Sequence, residues 1–92
     1  MTTITTTRPL YEIAKDIIVD INNQYVNKGK LNPSWVIYAT PYIKAMATLE
    51  SIDDDYYADT AHSVVCYALS NLSYWRGDVA KSVKLELKAL IK

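Results

Sequence analysis

The apolar residues Leu10, Ile13, Ala14, Ile17, Ile18, Ile21 and Tyr25 follow one another largely at intervals of three and four. That interval makes a continuous stripe only on an α-helix, because residues three and four apart stack on one face. The pattern returns as Trp35, Tyr38, Tyr42, Met46 and Leu49, then as Ala61, Val64, Val65, Ala68, Leu69, Leu72 and Trp75. It recurs a last time as Val79, Ala80, Val83, Leu87, Leu90 and Ile91. Each helix has one face to bury, and 92 residues supply one core. The expected fold is therefore all-α, a single compact bundle of about four helices over residues 1–92. A chain this short buries only about 60% of the surface its unfolded form exposes, which argues against an enzyme with a deep substrate cavity.

Punctuation between the stripes sets the expected boundaries. Pro9 suits the first turn of the first helix, where its missing N–H would have no partner anyway. Asn27, Lys28 and Gly29 close that helix, with Gly29 free to turn left-handed. Asn32 followed by Pro33 repeats the start signal. Pro41 then interrupts the second stripe: either Thr40 caps a new helix there or one helix kinks. Two segments, residues 33–39 and 41–51, are the expectation. Residues 52–59 form an acidic connector ending in Asp59, a good acceptor for the first turn of the third helix. That helix stops at Gly77, and Asp78 caps the fourth. The Thr-rich residues 1–7 carry one large apolar side chain, Ile4, and are expected to fray or form a short edge strand.

Composition narrows the classes further. Half the residues are hydrophobic and 22% are charged, well outside the regime of disordered chains. No run of about 18 apolar residues exists to span a bilayer, and residues 1–7 lack the basic and apolar regions of a secretion signal. The single Cys66 cannot form an intramolecular disulfide, so a reducing cytoplasm is expected.

Ten basic residues balance ten acidic ones, but they are sorted by position. Residues 1–49 hold five bases and three acids; residues 50–59 hold five acids and no base; residues 76–92 hold five bases and two acids. Lys81, Lys84, Lys88 and Lys92 recur at helical spacing, which predicts a basic stripe opposite the buried face of the last helix. With Arg76 this is the expected partner-binding ridge, suited to an RNA backbone or an acidic protein patch but too small for strong duplex DNA binding. The chain also has eight Tyr and no Phe. Tyr67 and Tyr74 fall opposite Val65, Ala68 and Leu72, where exposed rings could anchor a protein or stack on a base.

Catalytic and metal readings are weak. Asp59, His62 and Cys66 share a spacing that zinc could use, but no second His or Cys completes a closed site. His62 and Cys66 as a nucleophile pair lack an orienting group and an oxyanion site. The run Asp53-Asp54-Asp55 lacks the spacing of a calcium loop, and the two glycines, Gly29 and Gly77, stand at helix ends rather than in a phosphate-binding loop. No catalytic residue, metal or cofactor is expected.

From Pro41-Tyr42 and Ala45-Met46 the chain runs through Leu49, Ile52, Tyr56 or Tyr57, Asp59, Val64-Val65 and Leu69-Ser70-Asn71. It continues with Trp75-Arg76-Gly77, Lys84 and Glu86-Leu87-Lys88. On these residues, just over half of its length, it resembles small helical proteins of phages and mobile elements, Trp75-Arg76-Gly77 being the most specific element. In size and balance it is also similar to small anti-CRISPR proteins, including inhibitors of type I-F systems. The resemblance implies a phage protein without catalysis that binds a host complex of Cas proteins and guide RNA in the bacterial cytoplasm. It would block target DNA as a monomer or small homo-oligomer. A phage regulator binding nucleic acid, or a homo-oligomeric assembly module, are the competing expectations.

Overall fold

The computed structural model describes residues 8–91; the expectation for the Thr-rich leader lies outside them, as does Lys92. Four helices carry the chain: α1 Leu10–Gln24, α2 Ser34–Met46, α3 Ala61–Asn71 and α4 Asp78–Leu90. A short 3-10 turn, Val26–Lys28, follows α1, and two short strands, β1 Asp55–Tyr56 and β2 Asp59–Thr60, form an antiparallel hairpin before α3. α1 packs against α2 and α4, and α2 lies most extensively against α3.

The buried residues form one apolar cluster. Leu10, Ile13, Ala14, Ile17 and Ile21 enter it from α1, Val36, Ala39, Ile43, Ala45 and Met46 from α2, and Ala61, Val64, Val65 and Ala68 from α3. Ala80, Val83 and Leu87 of α4 join them, with Leu49, Leu72 and Trp75 from the turns. Ala14, Ala39, Ala61 and Ala68 are fully buried, and their small side chains let the helix backbones approach closely. No polar or charged residue is buried among the described residues. Ile18, Tyr38 and Val79, expected in the core, are exposed, because each sits at the edge of its stripe where no neighbouring element covers it.

Several boundaries differ from the sequence expectation. α2 runs unbroken through Pro41 and ends at Met46, rather than dividing into two segments. Residues before and after Pro41 reach the same core, and the carbonyl that Pro41 leaves without its N–H belongs to the exposed Ile37. Water can solvate that group, so one lost bond does not outweigh the packing. Thr40 starts no helix; its hydroxyl donates back to the Val36 carbonyl at 2.6 Å.

Pro9 is the residue before α1, with extended backbone, rather than its first helical residue. The orphan N–H groups of Leu10 and Tyr11 donate to the carbonyls of Glu50 and Leu49, both at 2.9 Å, so a loop distant in sequence caps this helix. α1 ends at Gln24, and Gly29, at φ 74°, closes the 3-10 turn instead. Pro33, not Asn32, precedes α2 at its cap position.

Thr60 rather than Asp59 caps α3: its hydroxyl oxygen accepts from the Ser63 N–H at 3.1 Å. Asp59 is displaced from that position because it pairs with Tyr56 across the hairpin. α3 ends at Asn71, short of Trp75, and Gly77 stands at the cap of α4 with Asp78 as the first helical residue. Gly77 has φ 113°, which side-chain-bearing residues rarely adopt, and this turns the chain from α3 into α4.

Candidate binding surface

Trp75 fills the core from a turn, its side chain nearly inaccessible, and a buried indole N–H needs an acceptor. Asp20 of α1 supplies it, with Trp75 Nε1 donating to Asp20 Oδ2 at 2.8 Å. Gln24, one turn along α1, donates through Nε2 both to the same Asp20 oxygen at 2.7 Å and to the Arg76 carbonyl at 2.9 Å. From the other side the Lys84 ammonium donates to the Trp75 carbonyl at 2.6 Å. The segment Trp75-Arg76-Gly77 is thus held by α1 on one side and α4 on the other. Each of its three residues has a structural task.

This arrangement changes the expected lysine stripe. At about 100° per residue, Lys84 lies only about 60° around α4 from the buried Leu87, so it flanks the core instead of facing away from it. The stripe is not opposite the buried face. Lys84 is half-buried, and its pKa is lowered from the ordinary lysine value, first by burial and then by the nearby charges of Lys88 and Arg76. Lys81, Lys88 and Arg76 are exposed. Arg76, Lys81 and Lys84 line one shallow depression with Trp75, Gly77 and Ala80. Among the described residues none of the four cations is ion-paired, whereas Glu86 of the same helix is occupied by Arg8. Arg8 grips Glu86 with two bonds of 2.7 and 3.0 Å and Asp16 with a third of 2.6 Å. Those bonds to Glu86 and Asp16 raise its pKa above the ordinary arginine value.

The two tyrosines do not share a pocket with these cations. Tyr67 is 53% exposed and stacks on Tyr42 of α2, ring centroids 5.5 Å apart and planes 27° apart. Tyr74 is 68% exposed in the turn after α3, one residue before Trp75. Tyr67 belongs instead to a depression bounded by α2, the hairpin and α3, to which Tyr42, Tyr56 and Asp59 also contribute. Sequence reasoning missed Tyr42, Tyr56 and Asp59 as a group, since only the hairpin brings them beside α3. It missed Asp20 and Gln24 as well, although a Trp on an apolar stripe signals that some acceptor must reach its N–H.

His62 and Cys66 are neighbours on α3, but Asp59 stands in β2, so the three do not share a helix flank. His62 Nε2 lies 3.2 Å from the Ile91 carbonyl, which can only accept, so Nε2 carries the proton and Nδ1 faces the Cys66 sulfur at 3.8 Å. The histidine ties α3 to the end of α4. Among the described residues no three His, Cys, Asp or Glu side chains gather as metal ligands, and no helix is long and apolar enough to cross a membrane.

Fold and surface together define a small helical-bundle protein with a cationic end on α4 and an aromatic, acid-rimmed side at α2, the hairpin and α3. Compared with known proteins, the chain matches no family model, no curated protein and no solved structure.

Proposed function

We propose that this chain is a small non-catalytic binding protein that engages a host protein complex through the cationic end of α4. In the most specific form of this reading it is a phage-encoded anti-CRISPR protein. It docks on a type I Cas surveillance complex in the bacterial cytoplasm and blocks target DNA. Arg76, Lys81 and Lys88 meet guide-RNA phosphates or an acidic Cas surface, while Tyr67 and Tyr74 supply apolar contact. The observation that carries the reading is the cluster of cations without acidic partners among the described residues, on and just before a helix whose single mid-helix acid is already neutralised by Arg8. Uncompensated charge of one sign on a rigid element favours an oppositely charged partner and steers its approach. The phage and anti-CRISPR part rests on the sequence likeness from Pro41 onward.

Direct binding of nucleic acid competes for the same side chains. It predicts affinity for DNA or RNA without any protein, falling steeply as salt rises. The test is co-elution with a purified type I surveillance complex carrying its guide RNA, followed by target-DNA binding to that complex. Stoichiometric co-elution and loss of DNA binding are expected. The double reversal Lys81→Glu with Lys88→Glu should weaken association about tenfold or more, equivalent to about 1.4 kcal/mol. No co-elution removes the Cas reading, and tight, salt-sensitive binding to naked nucleic acid replaces it with the competitor. A concentration-dependent rise in mass by light scattering would instead identify self-assembly.

A further inference from the structure

The hairpin register has a chemical consequence away from the cationic end. Tyr56 and Asp59 are direct cross-strand partners, so their side chains emerge on the same face of the hairpin, about 5 Å apart at Cβ. That face meets Tyr42 and the stacked Tyr67, and together with Pro41, Ala45 and Val64 they line a depression of about 420 Å³. Three phenol rings and one carboxylate therefore converge on a single open site. Tyr57, at the hairpin tip with φ 54°, packs its ring edge-on against Tyr56, centroids 4.8 Å apart.

The carboxylate is uncommitted. Thr60 has taken over the cap of α3, and the Asp59 side chain makes no hydrogen bond or ion pair among the described residues. Asp54, by contrast, is occupied by the backbone N–H groups of Glu50 and Ser51, both at 3.0 Å. Ring faces carry negative potential and attract cations, and a free carboxylate beside them adds a full charge of the same sign. Lys44, the nearest base on α2, lines the separate groove between α1 and α2. Exposed Asp53 and Asp55 extend the negative field beyond the depression, which suits a charged side chain presented on a protein surface.

We propose that this depression is a binding site for an arginine side chain of a protein partner. The planar guanidinium stacks on tyrosine rings and forks onto a carboxylate, and it sheds water more readily than an ammonium. The site is separate from the cationic depression, sharing only Tyr67 with the contacts proposed above, and its test does not depend on that function.

The test is a titration of the full chain with three short peptides differing at one residue: arginine, lysine or uncharged citrulline. Binding is followed through the aromatic NMR signals of Tyr42, Tyr56 and Tyr67. The arginine peptide should shift these signals saturably, the lysine peptide should bind more weakly, and the citrulline peptide should leave them in place. Asp59→Asn should lower affinity about threefold or more without changing the melting temperature. Tyr67→Phe should retain binding and Tyr67→Ser should lose most of it. Lys81→Glu with Lys88→Glu should leave it untouched, which separates this site from the other. Equal binding of arginine and citrulline peptides, equal or tighter binding of the lysine peptide, or unchanged affinity in Asp59→Asn would overturn the proposal.

Discussion

Two regions of this neutral molecule use polar side chains in opposite ways. Around Trp75, Asp20, Gln24 and Lys84 are committed to groups of the same chain, so removing any of them strands a donor or an acceptor. Around Tyr67, the carboxylate of Asp59 makes no hydrogen bond or ion pair among the described residues, and the rings of Tyr42 and Tyr56 are only partly covered. The difference teaches that charge clustering alone does not locate a contact surface. Lys84 belongs to the most conspicuous basic stripe in the sequence, yet its ammonium closes the turn between α3 and α4. The side chain of Asp59, which sequence spacing casts as a helix cap, makes no hydrogen bond or ion pair among the described residues.

Substitutions should separate the two regions by stability. Trp75→Ala opens a large cavity in the core and should cost about 3–5 kcal/mol in chemical denaturation. A loss below 1 kcal/mol would mean that the turn is not anchored as described. Asp20→Ala leaves the indole N–H without its acceptor and should cost about 1–3 kcal/mol, most of which disappears if Trp75 has already been replaced. Lys84→Met keeps the aliphatic stem but removes the bond to the Trp75 carbonyl, a loss of about 1 kcal/mol. Asp59→Asn and the reversal of Lys81 and Lys88 should leave the melting temperature where it is. A clear drop in either would place those side chains among the structural ones.

The pH response of Lys84 gives the finest distinction. Its folded pKa is lowered, so between that value and the ordinary lysine value the unfolded chain holds the extra proton. The Lys84 contribution to stability therefore rises as pH rises through that interval and is flat below it. Measured as wild type minus Lys84→Met, the difference should grow on the alkaline side. A difference that shrinks there would contradict the burial of Lys84 against the turn.

Much of the architecture is legible in the one-dimensional pattern because helical periodicity and core burial are the same fact seen twice. Ile13, Ala14, Ile17 and Ile21 are predicted buried and are buried, as are Val64, Val65, Ala68 and Leu87. Misreadings concentrate at helix ends, where local capping signals compete with distant partners. Asn32, Asp59 and Asp78 are good capping residues, but α1 is capped by the carbonyls of Leu49 and Glu50, and α3 by Thr60. Pro41 misleads for a related reason: its local cost is real, but packing on both sides holds the helix together. The basic residues were visible as a group, whereas the tyrosine and Asp59 site was not, because its members come from α2, two strands and α3.

Sequence alone determined that this chain forms helices, roughly how many, and which faces they bury, since a stripe at 3.6-residue spacing has only one way to leave water. It also determined the sorting of charge into an acidic connector and a basic last helix. Tertiary structure alone decided which charges remain available. Whether a lysine or an aspartate is bound internally depends on which carbonyl, N–H or carboxyl group folding brings within about 3 Å, and no local pattern encodes that distance.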